Sequence, residues 1–221
     1  MDSTTEKSVA VLGLGKFGRS LARNLYNLGA DVLVVDSDED VISDFSANST
    51  SAIKANLNNE DEVVALRLEN MDVVVTAMGS NLAASIMCVS VAKDHGVPLV
   101  IAKSDSSRMG SILKKVGADR IIDPEEEGGA RAARILVSSY LNECFKLDEN
   151  MMMVEMVPKP EWLGHSLNEL DLRKALNINI VAMRQNGGLW HFVEPDVHLE
   201  KEMNLLIVME RKTMVKLRGG K

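Results

Sequence analysis

The chain has 221 residues, of which 46% are hydrophobic, and it carries a formal net charge of −7. This length and hydrophobic fraction are enough for one sizeable core and a second small domain. An acidic chain lacks the basic face that nucleic acids require, so we expect no nucleic-acid partner. Cys88 and Cys144 lie outside any metal-ligand spacing and are typical of free buried thiols in a reducing compartment.

The sequence shows neither a signal peptide nor a membrane span. Residues 1–8 are polar with both signs of charge, and no apolar stretch approaches the length of a transmembrane helix. We therefore expect a cytoplasmic protein, which would act at a membrane only through a membrane-embedded partner.

A repeated strand–helix pattern fills the first half of the chain. Short runs rich in β-branched residues alternate with helical stretches, several of which are closed by a glycine. Near-continuous apolar strands separated by helices indicate a parallel sheet covered on both faces, here a Rossmann-like doubly wound α/β domain over residues 1–123. The predicted strands are Ser8–Leu12, 31–35, Ser51–Lys54, 72–75, 98–102 and Arg120–Ile122.

A crossover helix and linker are predicted over residues 124–149, and a small α+β domain over residues 150–221. Asp123 is the predicted N-cap and Pro124 the first helical residue, with the helix continuing to about Phe145. In the last domain, strands are predicted at 152–157, 178–184, 189–192 and 204–209, with a helical piece at 166–175. Residues 186–188 read NGG, a favourable hairpin turn.

A glycine-rich loop follows the first predicted strand. Residues 13–18 read GLGKFG, which matches GxGxxG between a strand and a helix. Gly13 permits the tight turn, Gly15 lets a phosphate approach the backbone, and Gly18 lets helix and strand pack closely. The helix N-terminus beyond Phe17 offers unpaired N–H groups to phosphates. The alternative is a glycine turn that binds nothing.

Asp36 and Lys16 bear on which nucleotide would bind. Asp36 ends the second strand, where a carboxylate accepts hydrogen bonds from both ribose hydroxyls and repels the 2′-phosphate of NADP. It does not distinguish NAD from ATP or ADP, which share that ribose. Lys16 either neutralises phosphate charge, which favours ATP or ADP, or is an ordinary solvated lysine.

Other residues are expected along the same sheet edge, because ligands bind at the carboxyl ends of parallel strands. Asn56 follows the third strand and is placed beside the adenine. Ala77, Met78 and Asn81 lie in the loop after the fourth strand.

The sequence presents no recognisable catalytic arrangement. The four histidines have no metal-ligand spacing, and no Ser/His/Asp or Cys/His set can be assigned. A regulatory nucleotide-binding protein that is not an enzyme is therefore the first hypothesis. The alternative is an NAD-dependent oxidoreductase on a Rossmann core, which substrate-dependent NADH absorbance would support. A Rossmann-core transcription repressor is disfavoured by the acidic charge.

The chain resembles the RCK-domain (KTN/TrkA-type) regulatory subunits of bacterial Ktr/Trk potassium uptake systems, and most closely the Ktr type. The resemblance covers nearly the whole chain. It rests on residues 11–18, 34–36, 116–119, 123–125 and 164–173, and continues at Asn179 and Arg184.

The resemblance implies a cytosolic gating subunit that forms dimers and an octameric ring on a membrane-embedded potassium-translocating subunit. In such proteins ATP or ADP, and in some members NAD or NADH, binds the first domain and changes the ring. A basic residue at the Lys16 position, usually arginine, reaches the terminal phosphate across the dimer interface. The residue matching Glu125 contributes to a cation site; the alternative is a carboxylate that only begins a helix.

For the second domain the resemblance implies cyclic di-AMP as a ligand in some members. Arg173, Asn179 and Pro195 match the contacting positions. The alternative for Arg173 is a surface salt bridge. Residues 200–204 depart from the family pattern, where a glycine–aspartate turn is common.

Overall fold

The computed structural model describes residues 7–137 and 140–218, so residues 1–6 of the predicted polar N-terminus lie outside it. The chain divides into two compact units, Met1–Glu126 and Glu127–Lys221. Among the described helices, none combines the length and apolar composition needed to cross a bilayer.

The first unit is built on a six-stranded parallel sheet, which confirms the predicted Rossmann-like fold. Its strands follow the order β3-β2-β1-β4-β5-β6. The order reverses direction between β1 and β4, so the helices on either side of that point cover opposite faces of the sheet. The elements are β1 Ser8–Leu12, α1 Lys16–Asn27, β2 Asp31–Asp36, α2 Glu39–Phe45, β3 Ser51–Lys54, α3 Glu60–Ala65, β4 Val73–Thr76, α4 Leu82–Asp94, β5 Leu99–Lys103, α5 Ser107–Val116 and β6 Arg120–Ile122.

The central strands are buried on both faces, as their sequences predict. Along β1, Ala10 and Leu12 join one apolar core, while Val9 and Val11 join the core on the other face. This division follows from the two-residue period of a strand, which points successive side chains to opposite sides.

The second unit contains an antiparallel sheet in the order β10-β9-β11-β8-β7. Its core includes several methionines from β8 and β11, whose flexible side chains fill irregular spaces. The elements from the end of the first unit onward are α6 Pro124–Leu136, β7 Leu141–Lys146, β8 Met151–Met156, α7 Leu167–Leu170, α8 Leu172–Leu176, β9 Ile178–Gln185, β10 His191–Phe192, β11 Met203–Glu210 and α9 Thr213–Arg218.

The crossover helix is shorter than predicted. Asp123 does accept a hydrogen bond from the Glu126 N–H at 2.9 Å, as expected of an N-cap, but α6 ends at Leu136. The prediction that it continues to Phe145 was wrong, because β7 forms antiparallel pairs with β8 and buries Leu141 and Cys144 in the second core. The predicted linker over residues 124–149 thus contains a strand of the second sheet.

The hairpin and the last strand form close to their predicted positions. Asn186 and Gly187 both adopt positive φ angles, 52° and 70°, between β9 and β10. The strand predicted at 189–192 is shorter, covering His191–Phe192. Despite the unusual sequence at residues 200–204, β11 pairs with both β8 and β9.

A contact between two glycines sets the position of α1 against β1. A Cβ atom on Gly18 would lie only 2.0 Å from the Gly13 carbonyl oxygen. Gly13 itself has a φ of 96° and donates its N–H to the Val35 carbonyl at 2.8 Å. Any side chain at position 18 would therefore push the start of α1 away from the loop.

We expect Gly18→Ala to lower the free energy of unfolding by about 1–3 kcal/mol, because the new methyl group meets rigid backbone. Gly128→Ala is the matched control: a Cβ there has no atom within 4 Å, and alanine favours a helix. Chemical unfolding followed by circular dichroism measures both. Equal stability of the two variants would contradict the close packing at Gly18.

Candidate functional site

A cavity of about 450 Å³ lies at the carboxyl edge of the parallel sheet. Loops that follow β1, β2, β3, β4 and β5, together with the start of α6, contribute its walls. The predicted residues that line it are Gly13, Gly15, Lys16, Phe17, Asp36, Ala77, Met78, Asn81 and Glu125. The lining also includes Gly79 and Ser80 from the predicted loop after β4, and residues that were not predicted: Ser37, Leu57, Asn58, Lys103 and Asp105.

The glycine loop presents backbone rather than side chains to this cavity. Gly15 is the N-cap of α1 and provides no side-chain cap, and a Cβ built on it would have no atom within 4 Å. The first N–H groups of any helix have no acceptor within that helix, and they carry its partial positive charge. Such a helix start is suited to bind phosphate oxygens.

Gly18 is the one glycine of the motif outside the cavity lining. It acts by packing against Gly13, as described above, and thereby holds the start of α1 at the sheet edge.

The Asp36 carboxylate is held beside the same loop. One oxygen accepts the Leu14 N–H at 2.6 Å, and the other accepts the Asp38 N–H at 3.1 Å. An ionised carboxylate has about four acceptor positions, so two hydrogen bonds leave room for further donors. Asp36 can therefore accept ribose hydroxyls while it remains anchored to the loop.

Leu57 and Asn58 line the cavity after β3, whereas Asn56, which was predicted to lie beside the adenine, is not part of the lining. The Asn56 side chain instead accepts hydrogen bonds from the backbone N–H and the side-chain amide of Asn58, at 3.0 and 3.3 Å. Asn58 in turn accepts a hydrogen bond from Asn81 at 3.0 Å. The chain turns after Asn56, so its side chain supports Asn58 in the cavity wall.

A lysine–carboxylate cluster forms another part of the cavity lining. The Lys103 ammonium lies 3.1 Å from an Asp105 oxygen and 2.9 Å from a Glu125 oxygen. Burial lowers the pKa of the Lys103 ammonium, but the hydrogen bonds that it donates to Glu125 and Asp105 outweigh that effect, so its pKa is raised overall. The hydrogen bond from Lys103 lowers the pKa of the Glu125 carboxyl. The ammonium is therefore a fixed positive charge.

Lys103 and Asp105 were missed by sequence reasoning, although one signal was available. Lys103 is the last residue of β5, directly after the apolar run Leu-Val-Ile-Ala. A charged residue at the carboxyl end of a buried parallel strand points to the edge where ligands bind. The same logic had selected Asp36 at the end of β2.

A larger cavity of about 660 Å³ lies between α1 and the sheet, with mostly aliphatic walls that include Leu21, Leu25 and Val75. It has few groups that could fix the orientation of a phosphate or a ribose. The smaller cavity is therefore the candidate nucleotide site.

The residues expected to bind a ligand in the second unit lie on separate elements. Arg173 is on α8 and Asn179 on β9, and the Pro195 carbonyl accepts the Asn168 N–H at 3.1 Å. All three are exposed. In the described part of the chain, no hydrogen bond or ion pair joins their side chains.

Arg184, one of the residues on which the family resemblance rests, contacts an acidic and an aromatic side chain within the second unit. Its guanidinium lies 2.6 Å from the Glu155 carboxylate and 4.7 Å from the Trp190 ring centroid. Burial raises the pKa of Glu155, but the hydrogen bonds from Arg184 and Asn204 outweigh it and the pKa is lowered. Glu155 is thus an ionised, buried partner for Arg184.

The fold and cavity together define a Rossmann domain of the nucleotide-binding type followed by a small antiparallel unit. Residues 9–124 match the family model described as the TrkA-N domain. The chain is 32% identical over 206 residues to Ktr system potassium uptake protein A of Vibrio alginolyticus, covering 93% of each chain. It is 33% identical over 180 residues to Ktr system potassium uptake protein C of Bacillus subtilis (strain 168), covering 81% of each.

The chain therefore belongs to the TrkA-N family of RCK domains, with Ktr-type relatives over most of its length. Solved structures agree in fold. The GsuK RCK domain superimposes with a TM-score of 0.67 at 15% identity over 99% of this chain and 48% of that chain. The GsuK channel bound to NAD gives 0.68 at 13% identity, covering all of this chain and 41% of that chain. This chain spans less than half of either GsuK chain.

We expect Lys103→Gln to raise the pKa of Glu125 toward its usual value, because the hydrogen bond that favours the ionised carboxylate is lost. Glu39 is the internal control, since Lys54 lowers its pKa independently. An NMR titration of the side-chain carboxyl carbons reports both groups. If Glu125 titrates identically in the wild-type protein and in Lys103→Gln, the interaction between Lys103 and Glu125 is contradicted.

Proposed function

We propose that this protein is a cytosolic, nucleotide-sensing regulatory subunit of a potassium uptake system. The observation that carries the proposal is the cavity at the carboxyl edge. There a helix N-terminus, the anchored Asp36 carboxylate and two lysines converge. The chain that forms this cavity is related over nearly its whole length to Ktr system potassium uptake proteins.

The cavity is chemically suited to an adenosine nucleotide. Asp36 accepts hydrogen bonds from the ribose hydroxyls, and the amide groups at the start of α1 donate hydrogen bonds to the phosphates, beside the positive charge of Lys16. Asn58 and Asn81 supply hydrogen-bonding groups next to that region. ATP or ADP is the proposed ligand, and NAD or NADH is the second candidate because the GsuK channel bound NAD in a related fold.

Regulation requires that two ligands stabilise different states of the protein. ATP and ADP share every contact except those to the terminal phosphate, so only contacts to that phosphate can favour one state. A difference of about 1.4 kcal/mol changes a two-state ratio tenfold. One or two charge-assisted hydrogen bonds to a phosphate are of this size.

A regulatory role accounts for the side chains of the cavity better than catalysis does. Histidine and cysteine are absent from the described lining, and the carboxylates there are anchored or ion-paired. A dehydrogenase needs a group that transfers a proton beside the nicotinamide. The proposed function is therefore not enzymatic, and an NAD-dependent oxidoreductase is the less favoured alternative.

The proposal extends to assembly and further ligands. By analogy with its Ktr-type relatives, the protein would dock on a membrane-embedded potassium-translocating subunit at the inner face of the membrane. It would form dimers within an octameric ring. A cation at Glu125 and cyclic di-AMP near Arg173, Asn179 and Pro195 belong to the same proposal.

We expect Asp36→Asn to weaken ADP binding by about 10- to 100-fold, because hydrogen bonds to a charged group are lost. Asp44→Asn is the matched control, since Asp44 is exposed on α2 outside the cavity. Isothermal titration calorimetry measures both. Equal affinities in the two variants would contradict the role of Asp36.

ATP and ADP should also give the wild-type protein different dimensions in solution. Small-angle X-ray scattering with saturating nucleotide measures this difference directly. Lys16→Ala should reduce it, because Lys16 is proposed to contact the terminal phosphate. Identical scattering curves for the wild-type protein with the two nucleotides would refute nucleotide switching.

A further inference from the structure

We propose that Asp105 competes with the terminal phosphate of the nucleotide for the Lys103 ammonium, and so sets the preference between ATP and ADP. This inference rests on the proposed nucleotide-binding function. It assigns roles to two residues that the sequence did not single out.

Lys103 is the positive charge for which the two groups compete. Its side chain is only 11% exposed, so water can satisfy little of its hydrogen-bonding capacity. Two carboxylates serve instead, at 3.1 Å for Asp105 and 2.9 Å for Glu125. All three side chains line the same cavity as the glycine loop.

Asp105 lies in a more confined position than Glu125. Its carboxylate lies against the backbone of Gly79 in the loop after β4, where an added Cβ would be 1.9 Å from the Asp105 oxygen. Asp105 also has the shorter side chain. Glu125 is 66% exposed against 45% for Asp105, so it can turn into solvent more easily.

The charges in this cluster do not balance. One ammonium faces two carboxylates, which leaves the cluster with a formal charge of −1. The two carboxylates occupy two of the three N–H donors of the ammonium, so a phosphate that approaches Lys103 competes with them for hydrogen bonds and meets the repulsion of their charge. Carboxylate and phosphate oxygens accept the same ammonium hydrogen bonds, so Asp105 occupies a position that suits a phosphate.

The competition should depend on the number of phosphates. The Asp36 carboxylate and the start of α1 lie at the ends of β2 and β1, whereas Lys103 ends β5, two strands beyond β1 in the sheet. A nucleotide with its ribose at Asp36 therefore directs its outermost phosphate toward Lys103. Asp105 would then oppose ATP more strongly than ADP.

The test uses the full-length chain and calorimetric titrations with ATP and with ADP in EDTA, so that no divalent cation bridges carboxylates and phosphates. Asp105→Asn should raise the ratio of ATP affinity to ADP affinity about tenfold, which corresponds to about 1.4 kcal/mol. Asp44→Asn, an exposed change outside the cavity, should leave the ratio unchanged.

A double-mutant cycle separates competition for Lys103 from simple charge repulsion. Asp105→Asn should change the ratio less than about threefold when Lys103 is replaced by Gln, because the contested ammonium is gone. An equal effect in both backgrounds, or no effect of Asp105→Asn, would overturn the inference.

Circular dichroism checks that each variant folds. If Asp105→Asn does not fold, Gly79→Ala replaces it, because its methyl group displaces the Asp105 carboxylate and should raise the same ratio. An unchanged ratio in Gly79→Ala would then overturn the inference. If the wild-type protein binds neither ATP nor ADP, the proposed sensing of these two nucleotides fails and the inference fails with it. If the nucleotides bind but the variants leave the ratio of ATP affinity to ADP affinity unchanged, the inference is rejected and the proposed function is not.

Discussion

The close approach of Gly18 to the Gly13 carbonyl is the constraint on which the rest of the site depends. It fixes where α1 begins relative to the end of β1. The unpaired N–H groups of that helix start then lie at the sheet edge beside Asp36, which itself accepts the Leu14 N–H. The Gly18–Gly13 contact and the Leu14–Asp36 hydrogen bond thus bring a helix start and a carboxylate together from adjacent strands, where we propose that phosphate and ribose bind.

Charge gives this site its regulatory character. Asp36, Asp105 and Glu125 line the cavity together with Lys16 and Lys103, so negative side chains outnumber positive ones. A nucleotide brings further negative charge, and its binding must rearrange these pairs or recruit a cation. The extent of rearrangement depends on the number of phosphates. Under the proposed function, a small energetic difference between ATP and ADP would become a difference in conformation.

Local patterns made the fold and the glycine loop predictable. The period of apolar residues gave the six parallel strands, and GxGxxG followed by Asp36 depends only on neighbouring positions in the chain. The helix that was predicted to reach Phe145 failed because residues 141–146 find their partner in β8, a tertiary pairing that overrides helical spacing. Asn58 was not predicted to line the cavity, because the course of the turn after β3 decides which side chains face inward.

The Lys103 cluster shows what sequence reasoning lacks. Lys103, Asp105 and Glu125 come from the end of β5, the following loop and the start of α6. Their approach depends on the pairing of β5 with β6, and the position of Asp105 depends on a glycine in yet another loop. No spacing rule links these four positions, whereas parallel pairing brings them together at one edge.

The most direct test is an NMR titration of the ¹⁵N-labelled full-length chain with ADP. Binding at the proposed position predicts shifts of the backbone amides of Gly15, Lys16, Phe17 and Gly18, while those of Lys114 and Lys115 on α5 stay in place. If the glycine-loop amides do not move at ADP concentrations that saturate binding, the phosphates do not bind at the start of α1 and the account is wrong.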